Sequence, residues 1–354
     1  MRRFVTARVA GGLGALVLAS TSGARADDLS ASVFTESNFE LRRDDRLLAL
    51  FTAFNVAGLD RAEYGRAEPF PKKVWHPVRT QVLGSIGTAT ADKLRPGLES
   101  FIQAHPAPMQ RWLEAALSLN ESDLSAAAPL PTALAGLDGW LQEFVKNARL
   151  AKVEAAVAGD YRTALKALRP AVDGPFARLR AAFGLAEETA PALLLLPTPL
   201  DAAGQAWALK TADGFHAVVF GLPVEAPLDP APLLAAYARL LAADAAGGAT
   251  SKAVEDALSQ LKAKGLALEV ADGRALVAES YAAAALAHTK GKDGAGEVDA
   301  AMRRGLVLAR AFAKALEEPA AAPSPAKGTL TEQVVQKFDG KKAVAEAVSV
   351  GGRK

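Results

Sequence analysis

"GFHAVVFG" (214–221) followed by "DPAPLLAAYARLLA" (229–242) is the stretch whose reading decides the fold. The first segment is strand-like and opens at the turn signal Asp213-Gly214. The second starts with an acidic cap, Asp229, and Pro230 in the first turn, which together announce a helix. About forty residues further on, "RALVAESYAAAALAH" (274–288) reads as another helix, and one carboxylate, Glu279, shares a stripe with Leu276, Ala283 and Leu286. A strand, a helix and a later helix bearing a glutamate raise the question of what chemistry lies between them.

Upstream of that strand, "ALLLLPTPLDAAGQAWALKTADGFHAVVFG" (192–221) contains β-like runs separated by turn signals at Asp201–Gly204 and 213–214, so a small antiparallel sheet is expected. Before Pro191 the chain is mostly helical from about 44 to 184, after a β-leaning stretch at 31–41. Leu47, Leu50, Phe51 and Phe54 fall at helical spacing and stop at Gly58. Trp140, Leu141, Phe144 and Val145 share one face, with Asp138 as the expected cap. Pro170, Pro175 and Gly184 are expected to bound further helical segments. Downstream, helices are expected at about 251–263, 273–289 and 299–317, followed by a Pro/Ala-rich linker and a loosely attached basic tail. The expected fold class is α+β, mainly helical with a small antiparallel sheet. Four parts follow: a leader (1–26), a helical part (27–190), a sheet-plus-helix part (191–318), and the linker and tail (319–354).

The leader has Arg2, Arg3 and Arg8, an uncharged stretch from Val9 to about Ser20, and the small-residue site Ala24-Arg25-Ala26. That is the layout of a secretory signal, so export to the periplasm or beyond is expected, with cleavage between Ala26 and Asp27. No later segment is long and apolar enough to span a bilayer. The whole chain carries a formal charge of +2, but residues 1–26 hold four arginines and no acid, leaving −2 on the remainder. Without a basic excess, nucleic acid is not an expected partner.

Several chemistries are missing. There is no G-x-S-x-G elbow, no phosphate-binding G-x-x-x-x-G-K-[ST] and no dinucleotide loop, and no cofactor is expected. The absence of cysteine excludes disulfides, thiolate metal sites and thiol catalysis. The four histidines, His76, His105, His216 and His288, include no H-x-x-x-H pair, so no metal site is read from the sequence. Glu279 either points toward the core, where an ionised carboxylate needs a partner, or reaches solvent or a nearby arginine such as Arg274.

Four stretches in this order resemble a group of secreted bacterial zincin-like proteins of poorly known function. They are "ELRRDDRLLALFTAFNVAGLDRAEY" (40–64), "DGWLQEFVKNARLAKVEAAVAGDYRTAL" (138–165), the sheet ending in "GFHAVVFG", and the helix from Asp229. The resemblance implies a zincin-like arrangement, with H-E-x-x-H on the helix after the sheet and a glutamate ligand on a later helix. In such a site the two histidines bind zinc and the intervening glutamate takes a proton from the metal-bound water. Laid over "LLAAYAR" (233–239), that motif puts the histidines at Ala235 and Arg239 and the general base at Ala236, leaving only Glu279 in the role of third ligand. Arg239 then either faces water or pairs with Glu279, one cation replacing another.

The resemblance therefore implies a non-enzymatic protein that holds a peptide or an envelope protein in the former substrate cleft. Phe215, His216 and Val218 would lie on a strand edge that accepts an extended peptide. The rival is a metal-independent hydrolase built from residues such as Glu279, Asp229 and His216. Inward carboxylates in an open pocket would point to the hydrolase, an alanine-lined groove with a buried Arg–Glu pair to the binding protein, and the lack of a substantial pocket to a helical spacer.

Overall fold

The computed structural model describes residues 33–34, 39–58, 79–186, 189–211, 213–222, 228–266, 268, 270–318 and 329–351. The leader, its cleavage site and His76 lie outside them. The chain runs through β1 (Val33–Phe34), β2 (Phe39–Leu41), α1 (Asp45–Ala57), α2 (Arg79–Ile86), α3 (Thr88–Ala104), α4 (Met109–Leu117), α5 (Leu137–Ala148) and α6 (Leu150–Ala182). It continues through β3 (Leu193–Thr198), β4 (Ala206–Lys210), β5 (His216–Gly221), α7 (Ala231–Ala246), α8 (Lys252–Ala263), α9 (Gly273–Thr289), α10 (Ala295–Arg303), α11 (Ala309–Glu317), α12 (Leu330–Gln336) and α13 (Gly340–Gly351). The fold is α+β and mainly helical, as the sequence suggests. Among the described residues no helix is long and apolar enough to cross a membrane.

The sheet differs from expectation. It is mixed, in the order β1-β2-β3-β5-β4, with β2, β3 and β5 parallel and antiparallel pairs at its two ends. The four-leucine run of β3 sits between β2, from far upstream, and β5. β3 is covered on both faces, so it is apolar throughout rather than alternating, which hides its partners from a local reading.

Helix α1 is the hub of the helical part. Every residue from Leu47 to Ala57 is buried, so this helix is apolar all round and packs on several neighbours. Its start is fixed by Asp44, whose carboxylate accepts from the amides of Arg46 (3.0 Å) and Leu47 (3.3 Å). Its end is fixed by Gly58 at φ 81°, a left-handed cap that an L side chain resists. The Thr52 hydroxyl and the Asn55 amide nitrogen, both buried, donate to the carbonyls of Leu48 (2.6 Å) and Phe51 (2.7 Å). Phe54 meets Trp112 of α4 edge-on at 5.4 Å.

Three local expectations are corrected. Helix α6 runs through Pro170 and Pro175. Pro170 and Lys166, whose carbonyl it leaves without an intrahelical amide, are both exposed, while Leu168, Val172, Phe176 and Leu179 anchor the opposite face. Asp138 lies in the first turn of α5 rather than at its cap, which is Gly136 in the left-handed region. The basic end is not a loose tail: Thr329 and Glu332 close a capping box on α12, and Val334, Val335, Val344 and Ala347 are buried. One contiguous core draws on residues from Phe39 to Ala347, on both sides of 190.

Candidate functional site

Helix α7 forms where Asp229 and Pro230 predict it, since the Asp229 carboxylate accepts from the Ala231 amide at 2.9 Å. Its stripe Leu233, Ala236, Tyr237, Leu240 and Leu241 is buried against neighbours that include β4 and α9. Helix α9 starts at Asp272, whose side chain accepts from the Ala275 amide at 2.9 Å. Packing of α7 on α9 brings together two of the expected positions: Arg239 Nε donates to Glu279 Oε2 at 3.2 Å. The pair is not buried, with 45% and 35% of the two side chains exposed. A screened contact of this kind contributes between about 0 and 1 kcal/mol. Ala236 is fully buried and Ala235 half-buried, so the first belongs to the core and does not line an open groove. A lone glutamate beside alanines and an arginine does not fit zinc, which needs neutral nitrogen or anionic ligands. Among the described residues no group of three or more His, Asp or Glu is placed to hold a metal ion.

The strand carrying His216 and Val218 is not an edge, because β5 is paired with β3 on one side and β4 on the other. Both side chains are buried, and only Phe215, in the preceding turn, is exposed. Imidazole Nε2 of His216 lies 2.7 Å from Asp244 Oδ2 and, as the protonated nitrogen, donates to it. The other Asp244 oxygen accepts from Lys210. Burial holds the His216 pKa below its ordinary value; Asp244 pulls it up and Lys210 down. His216 is thus a neutral pin between sheet and helix. It is brought together with neither Asp229 nor Glu279 by any hydrogen bond or ion pair among the described residues. His105 closes α3, with Nδ1 2.7 Å from Phe101 O and its ring stacked on Phe101 at 4.1 Å. His288 lies in the last turn of α9.

Of the two strands that end the sheet, β1 has two residues and β4 five, so the longer edge belongs to β4. The Gly221 amide donates to Gln205 O (2.8 Å) and the Thr211 amide to Phe215 O (2.9 Å), so residues 205, 207, 209 and 211 direct their backbone groups at β5. By the alternation of an antiparallel ladder, Ala206, Ala208 and Lys210 turn theirs outward. Among the described residues these outward groups meet one side chain: Gln110 Nε2 of α4 lies 3.5 Å from Ala208 O. The strand is held rigidly, since Trp207 Nε1 donates to buried Asp201 at 2.7 Å and Lys210 is tied to α7 through Asp244.

A second concave feature went unread in the sequence. A groove of 370 Å³ lies between the start of α1, the 121–124 loop, α5 and the first turns of α6, and its walls carry Asp45, Glu121, Asp123, Glu154, Lys146 and apolar residues such as Leu48. Buried Arg43 spans it from behind, 2.7 Å from Asp45 Oδ1 and 2.6 Å from Glu154 Oε1, while Arg42 holds Glu121 at 2.7 Å. Burial pushes the Asp45 pKa up, and Glu154 and Glu121 add to the rise against the pull of Arg43. Among the described residues, two non-glycine residues have positive φ: Leu124 (58°), which lines this groove, and Arg149 (52°), which directly precedes the lining residue Leu150. The sequence signal was the alternation Arg42-Arg43-Asp44-Asp45-Arg46, which reads equally well as the start of a helix.

No protein-family model, curated protein or solved structure matches the chain.

Proposed function

We propose that this chain is an exported, non-catalytic binding protein with a degenerate zincin-like arrangement of β5, α7 and α9, and that it takes an extended peptide segment as an added strand along β4. The observation that carries this reading is the outward-facing backbone of Ala206, Ala208 and Lys210, which among the described residues pairs with no further strand and meets only Gln110, at Ala208 O, on a strand beside α7. Each main-chain hydrogen bond made there contributes about 0.5–1.5 kcal/mol net, which suits a peptide from a partner protein of the envelope. The degenerate arrangement is supported by the adjacency of Arg239 and Glu279, the two positions at which the family pattern puts metal ligands. Export rests on the leader, and cleavage before Asp27 is checked by sequencing the N-terminus of the protein recovered from the envelope fraction.

The test is an array of unbiased extended peptides probed with the parent protein and with Ala208→Pro. Proline removes the outward amide without breaking a bond to β5 and is tolerated on edge strands. Peptides held by the parent and lost on the variant, with an unchanged circular dichroism spectrum, are the expected outcome. Equal binding to both proteins overturns the edge as the site.

A second reading is favoured by the groove at Asp45. A carboxyl with a raised pKa, beside Glu154 in an open cavity, has the composition of an acid–base pair for metal-independent hydrolysis. Turnover of chromogenic glycosides by the parent, abolished in Asp45→Asn, would replace the binding reading with this one.

A further inference from the structure

The C-terminal half of α6 carries a cation, Arg180, that forms no ion pair among the described residues. Phe176, Arg180 and Phe183 fall at i, i+4 and i+7 on one helix face. The Phe176 ring lies 4.8 Å from Tyr237 of α7, and the Phe183 ring lies 4.5 Å from Tyr281 of α9. Arg180, between them, is therefore held at the junction of three helices. It is 4% exposed, and Tyr237 and Ser280 are fully buried. Arg180 Nη1 and Ser280 Oγ have no hydrogen-bond partner among the described residues, and Tyr237 Oη has none there beyond the Arg180 guanidinium. Glu279, the carboxylate next to Ser280 in sequence, is turned toward Arg239 on the outside of the pair of helices.

From this geometry we propose that Arg180, with Tyr237 and Ser280, is a buried receptor for a small oxyanion. A guanidinium removed from water without an opposite charge costs several kcal/mol, and a bound anion is the arrangement that relieves it. The three groups all offer N–H or O–H donors, and the planar guanidinium matches two oxygens of one carboxylate or phosphate. The rings of Phe176, Phe183, Tyr237 and Tyr281 pack in pairs on either side of Arg180 along the helix. The positive charge is felt at Tyr237: burial raises its pKa first, and Arg180 opposes the rise. This site is independent of the β4 edge and stands or falls without it.

The experiment is thermal unfolding of the mature chain titrated with acetate and, separately, inorganic phosphate at constant ionic strength. Calorimetric titration of the same anions gives affinities directly. One of the two anions is expected to raise Tm saturably, acetate identifying a carboxylate site and phosphate a phosphate site. In Arg180→Gln, which removes the charge and keeps an amide donor, the affinity is expected to fall about tenfold or more, as for loss of a charged hydrogen-bonding partner. Should that variant not fold, Tyr237→Phe removes a single hydroxyl and is expected to weaken the same affinity severalfold. Absence of saturable binding to the parent, or equal affinity in parent and variant, overturns the proposal.

Discussion

Replacing Asp201 by asparagine should reverse part of the pH dependence of stability. Asp201 is buried in the turn between β3 and β4 and accepts from Trp207 Nε1 at 2.7 Å and from the Ala202 amide at 2.8 Å. Burial raises its pKa from 3.8 to about 6, with those two donors pulling the other way. The folded state therefore keeps this proton where the unfolded chain has released it. The stability linked to it is fully present below about pH 4 and is lost as pH rises to about 6, with no further change above. A shift from 3.8 to about 6 corresponds to about 3 kcal/mol in total, of which about 2 kcal/mol falls between pH 4.5 and pH 7.5. Asparagine carries no titrating group, but one of its amide hydrogens must face a donor, Trp207 or Ala202, at a cost of about 1–3 kcal/mol. The parent should lead Asp201→Asn at pH 4.5, and the lead should shrink by about 2 kcal/mol by pH 7.5. Denaturant unfolding followed by tryptophan fluorescence measures both curves, with Trp207 in direct contact with the mutated side chain. A difference between the two proteins that stays constant across that range would show that Asp201 is ionised throughout and that the argument from burial is mistaken.

Two further outcomes are expected. Gly221→Ala should cost at least about 3 kcal/mol in denaturant unfolding, because a methyl there falls on the Ala202 carbonyl, and two backbones cannot swing aside as side chains do; a loss under about 1 kcal/mol would mean that the 201–204 turn yields. Ala235→His combined with Arg239→His should create a cobalt-binding site with visible absorption bands of four-coordinate metal, using Glu279 as third ligand; no gain in metal over the parent would remove the proposed zincin-like correspondence.

What was legible in the sequence was local. The start of α9 follows from Asp272, and the stop of α1 from Gly58, because caps act within one turn of the chain. The pairing of Arg239 with Glu279 was one of two outcomes the resemblance left open, and the structure has the pair half-exposed at the surface. The sheet was not legible, since β2 joins β3 from about 150 residues upstream and parallel pairing leaves no turn signal between partners. For the same reason the edge was assigned to β5: the hairpin with β4 could be read from the Asp213-Gly214 turn, but the pairing of β5 with β3 could not. The groove at Asp45 and the receptor at Arg180 were invisible because each is assembled from segments far apart in the chain, and each depends on which side of a helix is covered.

An open strand edge is a hazard as well as an opportunity, because it invites pairing with any extended chain. In β4 the hazard is limited by length, since the strand has five residues and only three turn their backbone outward. It is limited further by charge at one end, where Lys210 is exposed and held by Asp244. Three outward residues are too few for backbone bonds alone to give a selective complex, at about 0.5–1.5 kcal/mol for each bond. Selectivity must then come from side chains that flank the edge. Gln110, which donates to the outward carbonyl of Ala208, and the Lys210–Asp244 pair are the polar groups placed to supply it. A peptide carrying an acidic residue opposite Lys210 would compete with Asp244 for that cation and leave Asp244 to His216 alone, so binding at this edge should raise the His216 pKa and be felt in the core beneath α7.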